Sequence, residues 1–104
     1  MSAIEKYHDP DADCLLLHIC TDEHFDYRSI HTFKNLCKDK LDREVHVTVD
    51  MIKTRYIDSS GMALLHCLQH WVDAPRVVVR VANCSPELRH IFTSCRLSQH
   101  LVFD

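Results

Sequence analysis

Apolar and polar residues alternate cleanly in two stretches of this chain. Val45, Val47, Val49 and Met51 point one way, and His46, Thr48 and Asp50 the other. Arg76 to Ala82 repeats the pattern, with Val77, Val79 and Val81 set against Arg76, Val78 and Arg80. A parallel sheet covered on both faces reads as unbroken apolar runs. The alternation therefore predicts a sheet with helices on one face and a second face that is at least partly wet. His18, His46, Thr48 and Arg80 belong to the wet face.

The rest of the chain supplies further strands and the helices. Ala3 to Tyr7 reads as an edge strand, ended by Asp9-Pro10-Asp11, and Cys14 to Cys20 as its hairpin partner. Thr21 to Asp26 is a polar loop. A first helix is predicted from about Tyr27 to Leu41, with Ile30, Phe33, Cys37 and Leu41 as its apolar stripe. A second runs from Met62 to Val72, buried along Leu64, Leu65, Leu68, Trp71 and Val72. Steps of three and four put Met62, His66, Gln69, His70 and Asp73 on its other face. Ser85-Pro86 opens a third helix, because serine caps and proline suits the first helical position. Leu88, Ile91, Phe92 and Cys95 are expected to face inward from it, and Leu101 to Phe103 forms a last strand.

The second helix carries the candidate chemistry. Asp58 falls at its N-cap, where a carboxylate accepts a backbone N–H. Ser59, Ser60 and Gly61 fill the first turn, whose amides lack partners within the helix. Gly61 is the only glycine in the chain. Glycine costs a helix about 1 kcal/mol relative to alanine, so a bare backbone here implies that something approaches closely.

Residues 50 to 62, Asp-Met-Ile-Lys-Thr-Arg-Tyr-Ile-Asp-Ser-Ser-Gly-Met, resemble the signature of STAS domains, the fold of bacterial anti-sigma-factor antagonists. Asn83-Cys84-Ser85-Pro86-Glu87-Leu88 resembles that family's Asn-x-Ser-Pro-x-Val, and residues 97 to 103 resemble its last strand. The resemblance implies an α/β STAS fold: a single domain over residues 1–104, with a mixed four- to five-stranded sheet and helices on one face. It also implies that Ser59, directly after the aspartate, is phosphorylated, with Ser60 as a secondary acceptor. The implied partner is an anti-sigma factor that is itself a serine kinase of the ATP-binding, histidine-kinase-like fold. A metal-dependent phosphatase of the PP2C type would reset the switch. The expected partner surface joins Phe25, Asp26, Arg55, Asp58, Ser59, Ser60, Gly61, Met62, His66, Asn83 and Ser85. Arg55 departs from the small polar residue usual in the family, and its charge is available to Asp58 or to a phosphate. With Leu101 to Phe103 as its last element, the chain is expected to lack the closing helix of many family members, which would favour a dimer or a tightly held partner.

Composition narrows the alternatives. A net charge of −3 with mixed signs gives no nucleic-acid or membrane footprint. No stretch is apolar enough to span a bilayer, and the N-terminus has no signal-peptide pattern. Five of the six cysteines, Cys14, Cys20, Cys37, Cys67 and Cys95, sit in or beside apolar element patterns as small hydrophobes, which fits a reduced, cytoplasmic setting. The nine histidines read as a solvated surface. His66 and His70, one turn apart, have a spacing that can hold zinc, but no third ligand is evident. With one glycine there is no Walker-type loop, no Gly-x-Ser-x-Gly elbow occurs, and Ser59 has no evident base. Neither an enzyme nor a cofactor is expected. Two rival readings keep the fold: a non-switching STAS subunit of a lipid-transport ATPase complex, and a partner-switch regulator of a cyclase or biofilm output.

Overall fold

The computed structural model describes residues 3–9, 14–36, 40, 42–95 and 101–103, with the side chains of 3–9, 36, 69 and 71 excepted. In chain order the elements are strands β1 (Ala3–Asp9), β2 (Cys14–Cys20) and β3 (His24–Phe25), then a 3-10 turn (Tyr27–Ser29) running into helix α1 (Ile30–Leu36). Strands β4 (Glu44–Asp50) and β5 (Tyr56–Ile57) precede helix α2 (Ser59–Trp71). Strand β6 (Val77–Ala82), helix α3 (Pro86–Thr93) and strand β7 (Val102–Phe103) complete the order.

The main sheet has five strands in the order β1-β2-β4-β6-β7. The β1–β2 pair is an antiparallel hairpin, with Ala3 opposite Cys20 and Asp9 opposite Cys14. The other pairs are parallel. The mixed sheet expected from the sequence is thus present. The Asp9-Pro10-Asp11 turn, Cys37 and Leu41 lie largely or wholly outside the described residues.

One face of the sheet is covered. Val45, Val47, Val49, Val79 and Val81 are buried in one cluster with Phe33 of α1, Leu64, Leu65 and Leu68 of α2, and Leu88 and Phe92 of α3. The helices α1, α2 and α3 therefore pack on that face. The opposite β4 residues, Glu44, His46, Thr48 and Asp50, stay partly exposed. Burying a side chain of this kind is worth roughly 1.5–3 kcal/mol, so the period-two pattern fixes which way β4 faces.

Two expectations on the helices need correcting. Met62 is 5 % exposed and belongs to the core cluster, not to the open face of α2. Ile91 is 43 % exposed. In α3 the buried line runs by a step of four from Leu88 to Phe92, and Ile91 falls beside it.

Two short loops, after β2 and after β4, are tied together. Thr21 and Thr54 are the buried polar residues among those described. Their hydroxyls lie 2.5 Å apart, and Thr54 donates to the Asp22 carbonyl at 2.7 Å. Since Thr54 has one proton and gives it to Asp22, Thr21 is the donor to Thr54. The amides of Arg55 and Tyr56 both donate to the Glu23 carbonyl, at 2.9 and 3.0 Å. These bonds hold β3 beside β5 as a two-stranded parallel ribbon at the head of α2.

Candidate functional site

Helix α2 begins at Ser59. Asp58 has an extended backbone and caps the helix, its Oδ1 accepting the Gly61 amide at 3.0 Å. The same Oδ1 accepts the Ser60 hydroxyl at 2.6 Å. These bonds, the Ser60 hydroxyl first, hold the Asp58 carboxyl below the ordinary aspartate value of 3.8. Ser60 in turn accepts the Tyr27 amide at 2.9 Å. Ser60 is therefore committed as both donor and acceptor. The Ser59 side chain is exposed and makes no hydrogen bond to the described residues.

Gly61 has a reason internal to the chain. A β-carbon there would collide with the Phe25 carbonyl oxygen and sit 3.0 Å from Ile57 Cγ1. The close approach expected at this glycine is made by the end of β3, which is laid directly on the helix start. Phe25 itself is fully buried, its ring 5.5 Å from that of Phe33. As contact residues for a partner, Phe25 and Met62 are corrected by this burial: their side chains support the surface from below.

Large apolar and aromatic side chains stand exposed on the segments that lead into α1 and α2. Tyr27 is 66 % exposed, Tyr56 57 % and Ile52 65 %. Tyr56 stacks on His24 with ring centroids 4.7 Å apart and planes 21° from parallel. This pair, with Phe25, Asp26, Ile57 and Asp58, lines a surface cavity of about 60 Å³. Asp26 caps the 3-10 turn through the Arg28 amide and holds the Arg28 guanidinium in a fork, at 2.9 and 2.8 Å. The Arg28 hydrogen bond keeps its carboxyl below the usual range. Arg55 is exposed and, of the two partners open to it, forms no ion pair with Asp58 among the described residues.

The Asn83–Ser85 segment is anchored to β4. Asn83 takes a left-handed backbone (φ 56°), which asparagine tolerates, and its Nδ2 donates to Asp50 Oδ1 at 3.0 Å. Asp50 also accepts the Ile52 amide at 3.0 Å, and His18 Nε2 lies 3.4 Å from Oδ2. Burial opposes ionisation of Asp50, but Asn83, the Ile52 amide and His18 outweigh it and lower its pKa. Ser85 caps α3 by accepting the Leu88 amide at 3.2 Å. Asp50 thus links the C-terminal end of β4 to the two loops that carry Ile52 and Asn83.

His66 is half-buried and His70 exposed, with ring centroids 5.6 Å apart. No group of three or more His, Cys, Asp or Glu able to hold a metal occurs among the described residues. No helix among them is long and apolar enough to cross a membrane. Sequence reasoning missed Tyr27, Ile52, the His24–Tyr56 stack and the Thr21–Thr54 pair. The signal for the first two was present: large apolar residues lying off every predicted stripe.

A parallel-rich sheet with helices on one face, and a capped serine pair at one helix start, define an α/β domain. The chain belongs to the STAS domain family, whose model matches residues 3–104. It is 28 % identical over 90 residues to a STAS-domain containing protein of Pseudomonas aeruginosa (strain UCBPP-PA14), spanning 86 % of this chain and 89 % of the relative. It shares its fold with the anti-sigma factor antagonist SpoIIAA in its unphosphorylated form: TM-score 0.63 and 14 % identity, over 98 % of this chain and 88 % of that one.

Proposed function

We propose that this chain is an anti-sigma-factor antagonist that works by partner switching, with reversible phosphorylation of Ser59 as the switch. The observation that carries the reading is the contrast between two adjacent hydroxyls. Ser60 is spent on Tyr27 and Asp58, whereas Ser59 stands exposed on the first turn of α2. Family membership and the fold shared with an anti-sigma factor antagonist support it.

In this reading the partner is a serine-kinase anti-sigma factor that brings its own ATP and metal. Ser59 Oγ attacks the γ-phosphorus, the new O–P bond forms, ADP leaves, and the serine proton passes to a base on the kinase. A PP2C-type phosphatase directs water onto that phosphorus and regenerates the hydroxyl and free phosphate. The phosphoryl group adds about −1.5 to −2 charges next to Asp58, which is already ionised. Ser59 projects outward, so the domain keeps its fold. A surface that closed over a neutral hydroxyl must now desolvate a dianion, at a cost of several kcal/mol. The docking surface comprises Tyr27, Tyr56, Ile52, Arg55, Asp58, Ser59 and the Asn83–Ser85 loop, with His66 at its margin. The setting is cytoplasmic.

The test is binding of purified wild type, Ser59→Ala and Ser59→Asp to serine-kinase anti-sigma factors, with mass spectrometry after addition of ATP. Alanine is expected to keep binding, aspartate to lose it, and the phosphate to appear on Ser59. Equal binding by all three would favour a non-switching STAS subunit.

A further inference from the structure

Ser60 does more than stand beside the acceptor. The first amides of any helical turn lack internal partners, and Tyr27 opens the 3-10 turn that leads into α1. Its N–H donates to Ser60 Oγ, 33 residues away in sequence. Ser60 O–H donates to Asp58 Oδ1, which also accepts the Gly61 amide. The result is one directed chain, Tyr27 N–H to Ser60 to the Asp58 carboxylate. It ends on an ionised group, and such bonds are roughly twice as strong as neutral ones. Successive bonds of this kind also polarise one another.

We infer that Ser60 is a positioning residue: its hydroxyl caps the Tyr27 turn from across the chain and thereby fixes the exposed Tyr27 at the start of α2. The consequence for binding rests on the switch reading above; the cap itself does not. Two of the contacts that hold this segment on α2 differ in kind. The Phe25 carbonyl against Gly61 is a steric seat. The Ser60 bond is directional and sets where the chain goes next. Phosphorylation of Ser60 would remove the proton that it gives to Asp58 and place a dianion against that carboxylate, so a phosphate there would break the cap. Ser59, outside the hydrogen-bond chain, takes a phosphate without that loss.

Amide hydrogen exchange by NMR on wild type, Ser60→Ala and Ser60→Thr tests the cap without any partner. Alanine removes the acceptor and is expected to speed exchange at Tyr27 roughly tenfold, leaving Val47 and Val79 in the sheet centre within twofold of wild type. Threonine restores the oxygen and is expected to hold Tyr27 near the wild-type rate. The inference is overturned if alanine leaves Tyr27 exchange within twofold of wild type, or accelerates all three amides alike, as plain destabilisation would. Binding to the serine-kinase anti-sigma factor that captures wild type is the second readout. Alanine at position 60 is expected to weaken it about tenfold, with threonine rescuing. If no such kinase captures wild type, the switch reading fails, and the exchange data still decide the cap.

Discussion

The carbonyl oxygen of Phe25 occupies the space in which a side chain at Gly61 would begin. In an ordinary exposed helix position, replacing glycine with alanine stabilises by about 1 kcal/mol. Here the β-carbon meets backbone, which has no rotamer to swing away. Gly61→Ala is therefore expected to reverse the usual sign and destabilise by about 1–3 kcal/mol. Urea unfolding of the two proteins measures it, and a more stable alanine variant would contradict the packing of β3 on α2.

The buried threonine pair makes an asymmetric prediction. Thr54→Val deletes the donor to the Asp22 carbonyl and the acceptor for Thr21. Thr21→Val leaves the Asp22 bond in place. In the first variant the freed Thr21 hydroxyl has a second acceptor, the Asp50 carbonyl at 3.3 Å, but Asp22 loses its bond. A lost intramolecular hydrogen bond costs about 0.5–1.5 kcal/mol. Thr54→Val is expected to lie toward the top of that range and Thr21→Val near the bottom. Thermal melts of the two single variants and of Thr54→Ser, which keeps the hydroxyl, check the order.

What could be read from the sequence was what local spacing decides. Val45, Val47 and Val49 alternate and are all fully buried, because a strand's side-chain period is two wherever it sits. Asp58 and Ser85 cap as their positions imply, since a cap needs only its own next few residues. Met62 was misplaced because steps of four link it to His66 and His70, whereas steps of three link it to Leu65 and Leu68. The choice between them was made by β3, which folds over the first turn from more than thirty residues away. The Tyr27–Ser60 bond and the Thr21–Thr54 pair cross 33 residues each, and no periodicity reports such contacts.

Acid is expected to weaken the fold partly through Asp50. Its carboxyl titrates below 3.8 in the folded chain, because Asn83, the Ile52 amide and His18 together outweigh the opposing effect of burial. Folding therefore favours the ionised form. The stability this contributes is fully present above the unfolded pKa of about 3.9 and drains away as pH falls through the folded value. Asp50→Asn lacks the titration. The stability difference between wild type and Asp50→Asn should shrink as pH falls below about 4. Urea midpoints across that range measure it, and a gap that widens in acid would show that Asp50 is not held ionised by this network.

Ser59 substitutions should separate binding from folding. The side chain is exposed and bonds to no described residue, so Ser59→Ala removes no internal interaction. Ser59→Asp places a negative charge in the first turn of α2, where the helix dipole favours it by about 0.3–1 kcal/mol. The neighbouring Asp58 carboxylate repels the new charge and offsets part of that gain. Both variants are therefore expected to unfold within about 0.5 kcal/mol of wild type, as surface substitutions do. Their far-ultraviolet circular dichroism should overlay that of wild type, while their affinities for the kinase diverge. A Ser59→Asp protein that loses binding together with several degrees of melting temperature would place the effect on the fold, and the serine would then be a structural residue of the helix start.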